Sequence, residues 1–191
     1  MKKNKEKKKK VAWGISGSGD LLIEIFETMK KISKEYDSVA EIRPYLSKAA
    51  DKVVKWYKLG KVLRENFDKV SVEIDSNSPF LAGQLQLRKF EFLLIAPATS
   101  TTVAKISVGI GDTLLANSAI MALKTFVPVY VKPSDFKEGV MVTKLPKGKD
   151  LKIRVRKEDV EHVDRLRRMD GVHILEKPEE IHEVFRKHFR S

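Results

Sequence analysis

Residues 91 to 123 read E-F-L-L-I-A-P-A-T-S-T-T-V-A-K-I-S-V-G-I-G-D-T-L-L-A-N-S-A-I-M-A-L, and this stretch decides the fold. Phe92 to Ala96 is an unbroken apolar run of the length of a buried parallel strand, and Pro97 is expected to end it. Five small residues follow at 98–102, four of them hydroxylated. In open α/β sheets, ligands bind where a strand turns into a helix. The alternative is that these small residues only let the helix pack against the sheet.

Two helices are predicted after this turn. Apolar residues recur at helical spacing from Val103 to Ile110, and Gly109 is expected to break the helix. Asp112 is expected to N-cap a second helix, from Thr113 to Leu123. Because much of its circumference is apolar, this second helix is typical of a helix at an interface.

The amino-terminal part of the chain repeats the order of strand, turn and helix. Val11 to Ile15 predicts the first strand, and the turn G-I-S-G-S-G-D at 14–20 leads into an amphipathic helix. Such a turn presents free backbone N–H groups and a helix dipole to an anion. Val39 to Leu46 predicts the second strand, in which Pro44 indicates an edge or a bend. Ser47 then opens a helix that reaches about Tyr57, and it is a good N-cap whether or not it binds a ligand.

The remaining elements complete an α/β pattern. Strands are predicted at 69–74 and 127–131, with a helix at 80–87. A hairpin insertion at 140–156 surrounds P-K-G-K-D, and a helix at 160–169, a short strand at 172–175 and a helix at 178–189 follow. The alternation of strands and helices predicts a central, mostly parallel sheet with helices on both faces. Residues 11–191 are expected to form one domain after a disordered basic tail at 1–10.

The composition limits the possible functions. The 191 residues include no cysteine, which excludes disulfides, thiolate metal sites and a cysteine nucleophile. The net charge is +12, and the first ten residues contribute seven Lys and one Glu. Basic charge favours acidic partners, although a merely solubilising tail is the simpler interpretation. The sequence has no membrane-length apolar run and no secretory signal pattern, so a cytoplasmic location is expected. Scattered aromatics and the lack of a basic recognition helix make nucleic-acid binding improbable.

The stretch P-A-T-S-T-T-V-A-K-I-S-V-G-I-G-D-T-L-L resembles the P-A-S-x-N-T-x-A-K-I-A-x-G-I-x-D-N-L-L signature of the flavoprotein superfamily. This superfamily includes flavin-containing cysteine decarboxylases, flavin prenyltransferases and archaeoflavoproteins. The G-I-S-G-S turn near the amino terminus is similar to a second motif of the same superfamily. The resemblance implies a Rossmann-like (flavodoxin-like) three-layer fold, FMN as the cofactor and a homo-oligomer, a trimer or a multiple of it. The implied cofactor-binding residues are Gly14, Ser16, Gly17, Ser18, Ser47, Ala98, Thr99, Ser100 and Thr102.

Two departures from the superfamily pattern bear on the activity. Thr101 stands where the decarboxylases carry an asparagine, and the four histidines lie near the carboxyl terminus, away from the position of the decarboxylase histidine. The Arg-Glu pair of the prenyltransferases is replaced by Lys132-Pro133. The sequence is most similar to the archaeoflavoprotein type, which implies electron transfer with ferredoxin or a similar acidic redox protein. An FMN-dependent small-molecule reductase, similar to dihydromethanopterin reductases, is the alternative, followed by a lyase or transferase. The histidine spacing does not suggest a metal site.

Overall fold

The computed structural model describes residues 8–189 and contains one six-stranded sheet, all of whose strand pairs are parallel, and a separate two-stranded hairpin. The sheet order is β3-β2-β1-β4-β5-β8, and β6 pairs with β7 in antiparallel fashion. The strands are β1 (Lys9–Ile15), β2 (Ala40–Leu46), β3 (Ser71–Val72), β4 (Phe92–Ala98), β5 (Val129–Pro133), β6 (Gly139–Lys144), β7 (Asp150–Val155) and β8 (Val172–Ile174). The helices are α1 (Leu22–Glu35), α2 (Lys48–Trp56), α3 (Gly60–Asn66), α4 (Leu81–Gln86), α5 (Ser100–Val108), α6 (Leu114–Lys124), α7 (Lys157–Arg167) and α8 (Glu180–Phe189).

Apolar residues cover both faces of the sheet, which gives three layers. One core cluster packs residues of α1, α2, α3 and α8 against the sheet, with Trp13, Phe26 and Phe92 at its centre. The other cluster packs α4, α5, α6 and α7 against the opposite face. Strands buried on both faces read as continuous apolar runs, which is why β1 and β4 stand out in the sequence. The predicted three-layer α/β fold is confirmed.

The strand order reverses between β1 and β4. The chain runs from β1 outward through β2 to β3, then crosses to β4 and runs outward the other way through β5 to β8. The loops that follow β1 and β4 therefore leave the same edge of the sheet in opposite directions, and a crevice opens between them. This crevice lies at the carboxyl ends of the strands, and it positions the site described below.

Several boundaries differ from those predicted. β4 continues through Pro97 to Ala98, because its end still pairs with β5 through Ala98 and Pro133. Pro44 lies within β2 between two neighbouring strands, but the two-residue β3 pairs only with Tyr45 and Leu46. The outer side of β2 is thus open at the proline. The helix α3 was not predicted, and only Leu63 of its seven residues is buried.

The helix α6 corrects two predictions. Asp112 does not cap it, because the Asp112 carboxylate forms an ion pair with Lys105 at 2.8 Å. The first helical N–H, that of Leu114, instead donates to Glu73 at 2.7 Å. The apolar pattern of α6 is largely explained by packing, since its residues from Leu114 to Ala119 are all buried inside the protomer, and it is therefore no evidence of an interface.

The carboxyl-terminal part agrees with the prediction of a hairpin followed by helices. β6 and β7 pair from Gly139 with Val155 to Lys144 with Asp150. Most of the side chains of this hairpin are exposed. β1 begins at Lys9, two residues before the predicted strand. Lys9 and Lys10, which were predicted to belong to the basic tail, are therefore part of the sheet. Residues 1–7 of the predicted tail lie outside the described part of the chain. No helix within residues 8–189 is long and apolar enough to cross a membrane.

Candidate functional site

Ser16 joins the two loops that leave the sheet at the point where the strand order reverses. Its side chain is buried, and its hydroxyl donates to the Pro97 carbonyl at 2.8 Å. The same oxygen accepts from the Thr99 N–H at 2.7 Å, and the Ser16 N–H also donates to the Pro97 carbonyl. Three hydrogen bonds therefore hold the turn after β1 against the turn after β4.

Gly17 and Ser47 bring the start of α2 to the same place. A Cβ atom at Gly17 would lie 2.6 Å from the Cβ of Ala49, so only glycine permits this close approach. Ser47 is the N-cap of α2, as predicted, and its hydroxyl oxygen accepts from the Ala50 N–H at 3.0 Å. The Ser47 N–H donates to the Ile15 carbonyl at 2.9 Å, which fixes this cap beside β1.

The hydroxyl-rich turn forms the amino end of α5. Thr99 is the N-cap, and its hydroxyl oxygen accepts from the Thr102 N–H at 3.3 Å. The Thr99 and Thr102 hydroxyls lie 3.0 Å apart. Ser100 is half-buried, and Thr101 is exposed. Small hydroxylated residues are thus required both to cap the helix and to leave room in front of it.

A cleft of about 370 Å³ lies where the amino ends of α2, α5 and α6 converge, and we call it the first cleft. Among its lining residues are Ser47, Thr102, Lys105 and Thr113. Helix amino ends carry partial positive charge and free N–H donors, so three of them together favour an anionic group such as a phosphate.

Glu73 supplies a carboxylate inside the first cleft. One of its oxygens accepts from the Lys48 N–H at 3.0 Å, and the other accepts from the Leu114 N–H at 2.7 Å. The side chain therefore joins the first turns of α2 and α6. A bound anion in this cleft has to share the local positive potential with this carboxylate.

A second cleft, of about 380 Å³, opens on the other side of the same turns. The two clefts share Gly17, Thr99 and Thr101 as their common wall. One side of the second cleft is apolar and includes Trp56 and residues of the β6–β7 hairpin. Its serine and aspartate lining residues, which we call its polar side, are Ser18, Asp20, Ser100, Ser134 and Asp135.

Buried charge lies beneath the polar side of the second cleft. Lys132 is almost fully buried, and its ammonium group donates to the Pro133 carbonyl at 2.8 Å. Burial lowers the pKa of Lys132, while nearby Asp20 and Asp135 oppose that shift. Burial also raises the pKa values of Asp20 and Asp135, against the attraction of the same lysine. Perturbed carboxylates in a cleft are typical of functional sites.

Seven of the nine predicted cofactor-binding residues line one or both clefts. They are Ser16, Gly17, Ser18, Ser47, Thr99, Ser100 and Thr102. Gly14 and Ala98 lie behind the clefts within β1 and β4, and a Cβ at Gly14 would lie 2.8 Å from Leu115. Packing alone accounts for Gly14, and the assignment of all nine residues to the cofactor stays a prediction.

Sequence reasoning did not find several residues of the two clefts. Glu73 follows a two-residue strand and carries no local motif. Asp135 and Ser134 follow β5, where the carboxyl end of a predicted strand was the available signal. The four histidines line neither cleft, and across the described residues no group of three or more potential ligands could hold a metal ion.

The doubly covered parallel sheet and the crevice of hydroxyl and glycine turns define an α/β protein with a nucleotide-type site at its strand-order reversal. Residues 1–185 match the family model described as Flavoprotein. The chain belongs to the flavoprotein family, as its two motifs predicted.

Individual relatives agree with this placement. An uncharacterized protein of Methanocaldococcus jannaschii is 51% identical over 179 residues, which cover 94% of this chain and 95% of the relative. The dihydromethanopterin reductase (acceptor) of the same organism is 28% identical, covering 92% and 95% of the two chains. The crystal structure of Burkholderia xenovorans DmrB in complex with FMN, described as a cubic protein cage for redox transfer, superimposes with a TM-score of 0.78. DmrB is 27% identical, and the match covers 95% of this chain and 96% of that chain.

Proposed function

We propose that this protein binds FMN in the first cleft and against the common wall, and that the flavin transfers electrons to a small, planar acceptor in the second cleft. The observation that carries the proposal is the pair of adjoining clefts, which share the wall formed by Gly17, Thr99 and Thr101. The first cleft suits the phosphate of FMN, and the second cleft offers room for the flat ring of the acceptor. The family and the FMN complex of DmrB support the choice of cofactor.

The first cleft is the proposed phosphate end of the FMN site. The hydroxyls of Ser47 and Thr102, the Lys105 ammonium and the α2 and α5 amino ends are the groups that would hold it. The common wall would support the rest of the cofactor. Bound flavin supplies hydride or electron chemistry, while the protein binds, orients and shields it.

The electron acceptor that we favour is a dihydropterin. Two dihydromethanopterin reductases, at 28% and 34% identity, support this class of substrate. The second cleft supports it too, because both apolar and carboxylate side chains line it. An absorbance spectrum of the purified protein, before and after anaerobic reduction, tests the cofactor. A colourless protein that takes up no FMN on titration would overturn the proposal.

Electron exchange with an acidic ferredoxin is the second candidate, and the net charge of +12 favours it. Opposite charges raise the rate of encounter with an acidic redox partner. The two candidates are compatible, since a ferredoxin can supply electrons that the flavin delivers to a pterin. Two results together would favour a role as an electron carrier without pterin reduction. They are fast anaerobic bleaching of the flavin by reduced ferredoxin and slow turnover of dihydropterin by the protein.

Cysteine decarboxylation and prenyl transfer receive less support. Thr101 lines both clefts where the decarboxylases carry an asparagine, and a hydroxyl cannot replace the paired donor and acceptor of an amide. Lys132 is buried at the place of the prenyltransferase Arg-Glu pair. We expect no carbon dioxide release from a peptide with a carboxyl-terminal cysteine above the rate without enzyme.

We also propose a homo-oligomer, a trimer or a multiple of it. The cubic cage of DmrB supports a multiple of three. Large exposed apolar side chains, among them Phe80 and Phe126 with 76% and 82% of their surface exposed, supply candidate contact surfaces. Light scattering on the FMN-loaded protein tests this, and a mass of 21.8 kDa would contradict it. The cytoplasmic location stays a prediction.

A further inference from the structure

The second cleft is lined by both apolar and polar residues, and one class of ligand can contact both kinds. Its apolar side contains Val53, Trp56, Leu151 and Ile153, and Trp56 leaves 53% of its surface exposed. Its polar side carries two carboxylates and three serine hydroxyls, which lie on the turns after β1, β4 and β5. A flat ring covers apolar surface on its faces, and its edge atoms can meet the polar side.

The hydrogen-bonding capacity of the polar side is mostly that of an acceptor. The Ser18 and Ser134 hydroxyls are engaged with one another at 2.7 Å, and Ser18 also accepts from the Asp20 N–H. The Ser100 hydroxyl at the start of α5 acts to lower the pKa of Asp135, against the larger effect of burial. Because a carboxylate has two oxygens and about four acceptor sites, Asp135 can accept from a ligand as well as from Ser100. The cleft therefore selects a ligand whose edge carries N–H donors.

Lys132 keeps this acceptor available. Burial raises the pKa values of Asp20 and Asp135, and the buried Lys132 ammonium opposes this rise by attracting both carboxylates. Its hydrogen bond to the Pro133 carbonyl and its position 5.2 Å from the Phe136 ring centre hold it away from the cleft. The lysine thus acts on the carboxylates without competing for the ligand.

We infer that the second cleft binds a planar heterocycle with a 2-amino-4-oxopyrimidine edge, and that the Asp135 carboxylate recognises its adjacent ring N–H and exocyclic amino group. A carboxylate matches two parallel N–H donors in a bidentate arrangement, as it does with a guanidinium group. Trp56 and Val53 cover the ring, and Asp20 adds a second acceptor at the same wall. The inference rests on the proposed function and gives its acceptor a location and a recognition residue.

The test compares two probes that differ at one ring position. Pterin (2-amino-4-oxopteridine) carries the amino donor, whereas lumazine (2,4-dioxopteridine) presents a carbonyl oxygen there. Isothermal titration of the FMN-loaded protein should show pterin binding at least about tenfold tighter than lumazine, since a hydrogen bond to a charged group is lost. Asp135→Asn should weaken pterin binding by about tenfold or more and should reduce the preference over lumazine.

Two controls separate recognition from other effects. Asp37→Asn removes the same charge from a side chain that is 79% exposed and lies outside both clefts, so it should leave pterin binding unchanged. FMN titration of the Asp135→Asn variant should match the wild type, which shows that the variant is folded and that the first cleft is intact. Equal affinity for pterin and lumazine, or no pterin binding by a protein that binds FMN, would overturn the inference and leave the FMN site standing. Failure to bind FMN would instead overturn the proposed function.

Discussion

Individual hydroxyl groups at the clefts differ in what they can still offer a ligand. The Ser16 oxygen both donates to Pro97 and accepts from Thr99, so its role is to hold the two turns together. Ser47 accepts from the Ala50 N–H, but its own O–H remains available as a donor. Among the residues predicted from the motifs, Ser47 is therefore the clearest candidate for a direct bond to an anion.

Replacing Ser47 by Asp should expel FMN from the protein. Asp is as good an N-cap as Ser, so the bond to Ala50 and the start of α2 should survive. The added negative charge, however, lies where the phosphate is proposed to bind and repels it. The measurement is the ratio of FMN to protein after purification, together with the melting temperature.

Ser47→Asn is the matched control, because Asn has the shape of Asp, also caps helices well and carries no charge. This variant should keep most of the bound FMN. Stoichiometric FMN in the Ser47→Asp protein would show that the phosphate binds elsewhere.

Glu73→Gln should raise the affinity for FMN and leave the affinity for riboflavin nearly unchanged. The substitution removes a negative charge from the amino ends of α2 and α6, while the amide oxygen still accepts one of the two N–H groups. A charge near a helix end contributes about 0.3–1 kcal/mol, so we expect a gain of roughly two- to fivefold. Titrations with both flavins measure it. An equal loss of affinity for the two would show that Glu73 chiefly supports the helices.

At the scale of secondary structure, the sequence predicts the elements whose cause is local or periodic. β1 and β4 are apolar runs buried on both faces, and the hairpin follows from strand residues around a turn. The end of β4 was misplaced because a proline can occupy the end of a strand where the neighbouring strand still pairs with it. The short β3 has only two paired residues, so its length depends on β2 and not on its own composition.

The cap of α6 shows what local patterns cannot supply. Asp112 immediately precedes this helix, yet the Leu114 N–H donates to Glu73, 41 residues earlier in the chain. The Lys105 ammonium holds Asp112 away from the helix start. Glu73 and Asp135 each reach a cleft only when the sheet is assembled, so spacing along the sequence does not reveal them. The glycine and hydroxyl turns were visible because each is contiguous in sequence.

Removal of the β6–β7 hairpin should abolish pterin binding in the second cleft and leave FMN binding nearly unchanged. Gly139 and Val155 are paired, so residues 140–154 can be replaced by a two-glycine link across a short gap. No hairpin residue lines the first cleft, and we expect the FMN dissociation constant to change by less than about threefold. Pterin binding should be lost, because Met141, Leu151 and Ile153 line the second cleft.

A full-length Tyr57→Phe variant is the milder control for this deletion. It removes only the hydrogen bond from the Tyr57 hydroxyl to the Lys144 carbonyl at 2.9 Å, which ties the hairpin to the end of α2. It should leave FMN binding intact and weaken pterin binding less than the deletion does. Loss of FMN on removal of the hairpin would contradict the separation of the two sites.

At the scale of the whole molecule, the lysines at the start of β1 and the two clefts lie at different ends of the sheet. Lys9 starts β1 and Ile15 ends it beside the clefts, so about 20 Å of strand separates them. Lys8 and Lys9 also have acidic neighbours, in Asp37 and Glu91. Attraction is screened over about 8 Å at physiological ionic strength. Lys8 and Lys9 can therefore act on the approach of a partner more than on the clefts themselves.

The rate of electron transfer from an acidic ferredoxin should fall steeply as the salt concentration rises. Redox encounters use small, weak interfaces, so long-range attraction has a large effect on their rates. Deletion of residues 1–7 should lower the second-order rate at low salt and leave the flavin spectrum unchanged. The comparison is made by stopped-flow oxidation of reduced ferredoxin, with the full-length protein and with the protein that lacks residues 1–7, across a salt series. A rate that does not depend on salt would contradict electrostatic steering.

The direction of β1 has a practical consequence. Because this strand enters the sheet at the edge opposite the clefts, a fusion partner or an anchoring tag placed before Lys9 starts at the far end of the domain from the clefts. Adsorption through the lysines of the same edge onto a negatively charged electrode would likewise orient the clefts toward the solution. The chain is thus suited to film voltammetry in which freely diffusing acceptors reach the cofactor while the protein remains attached.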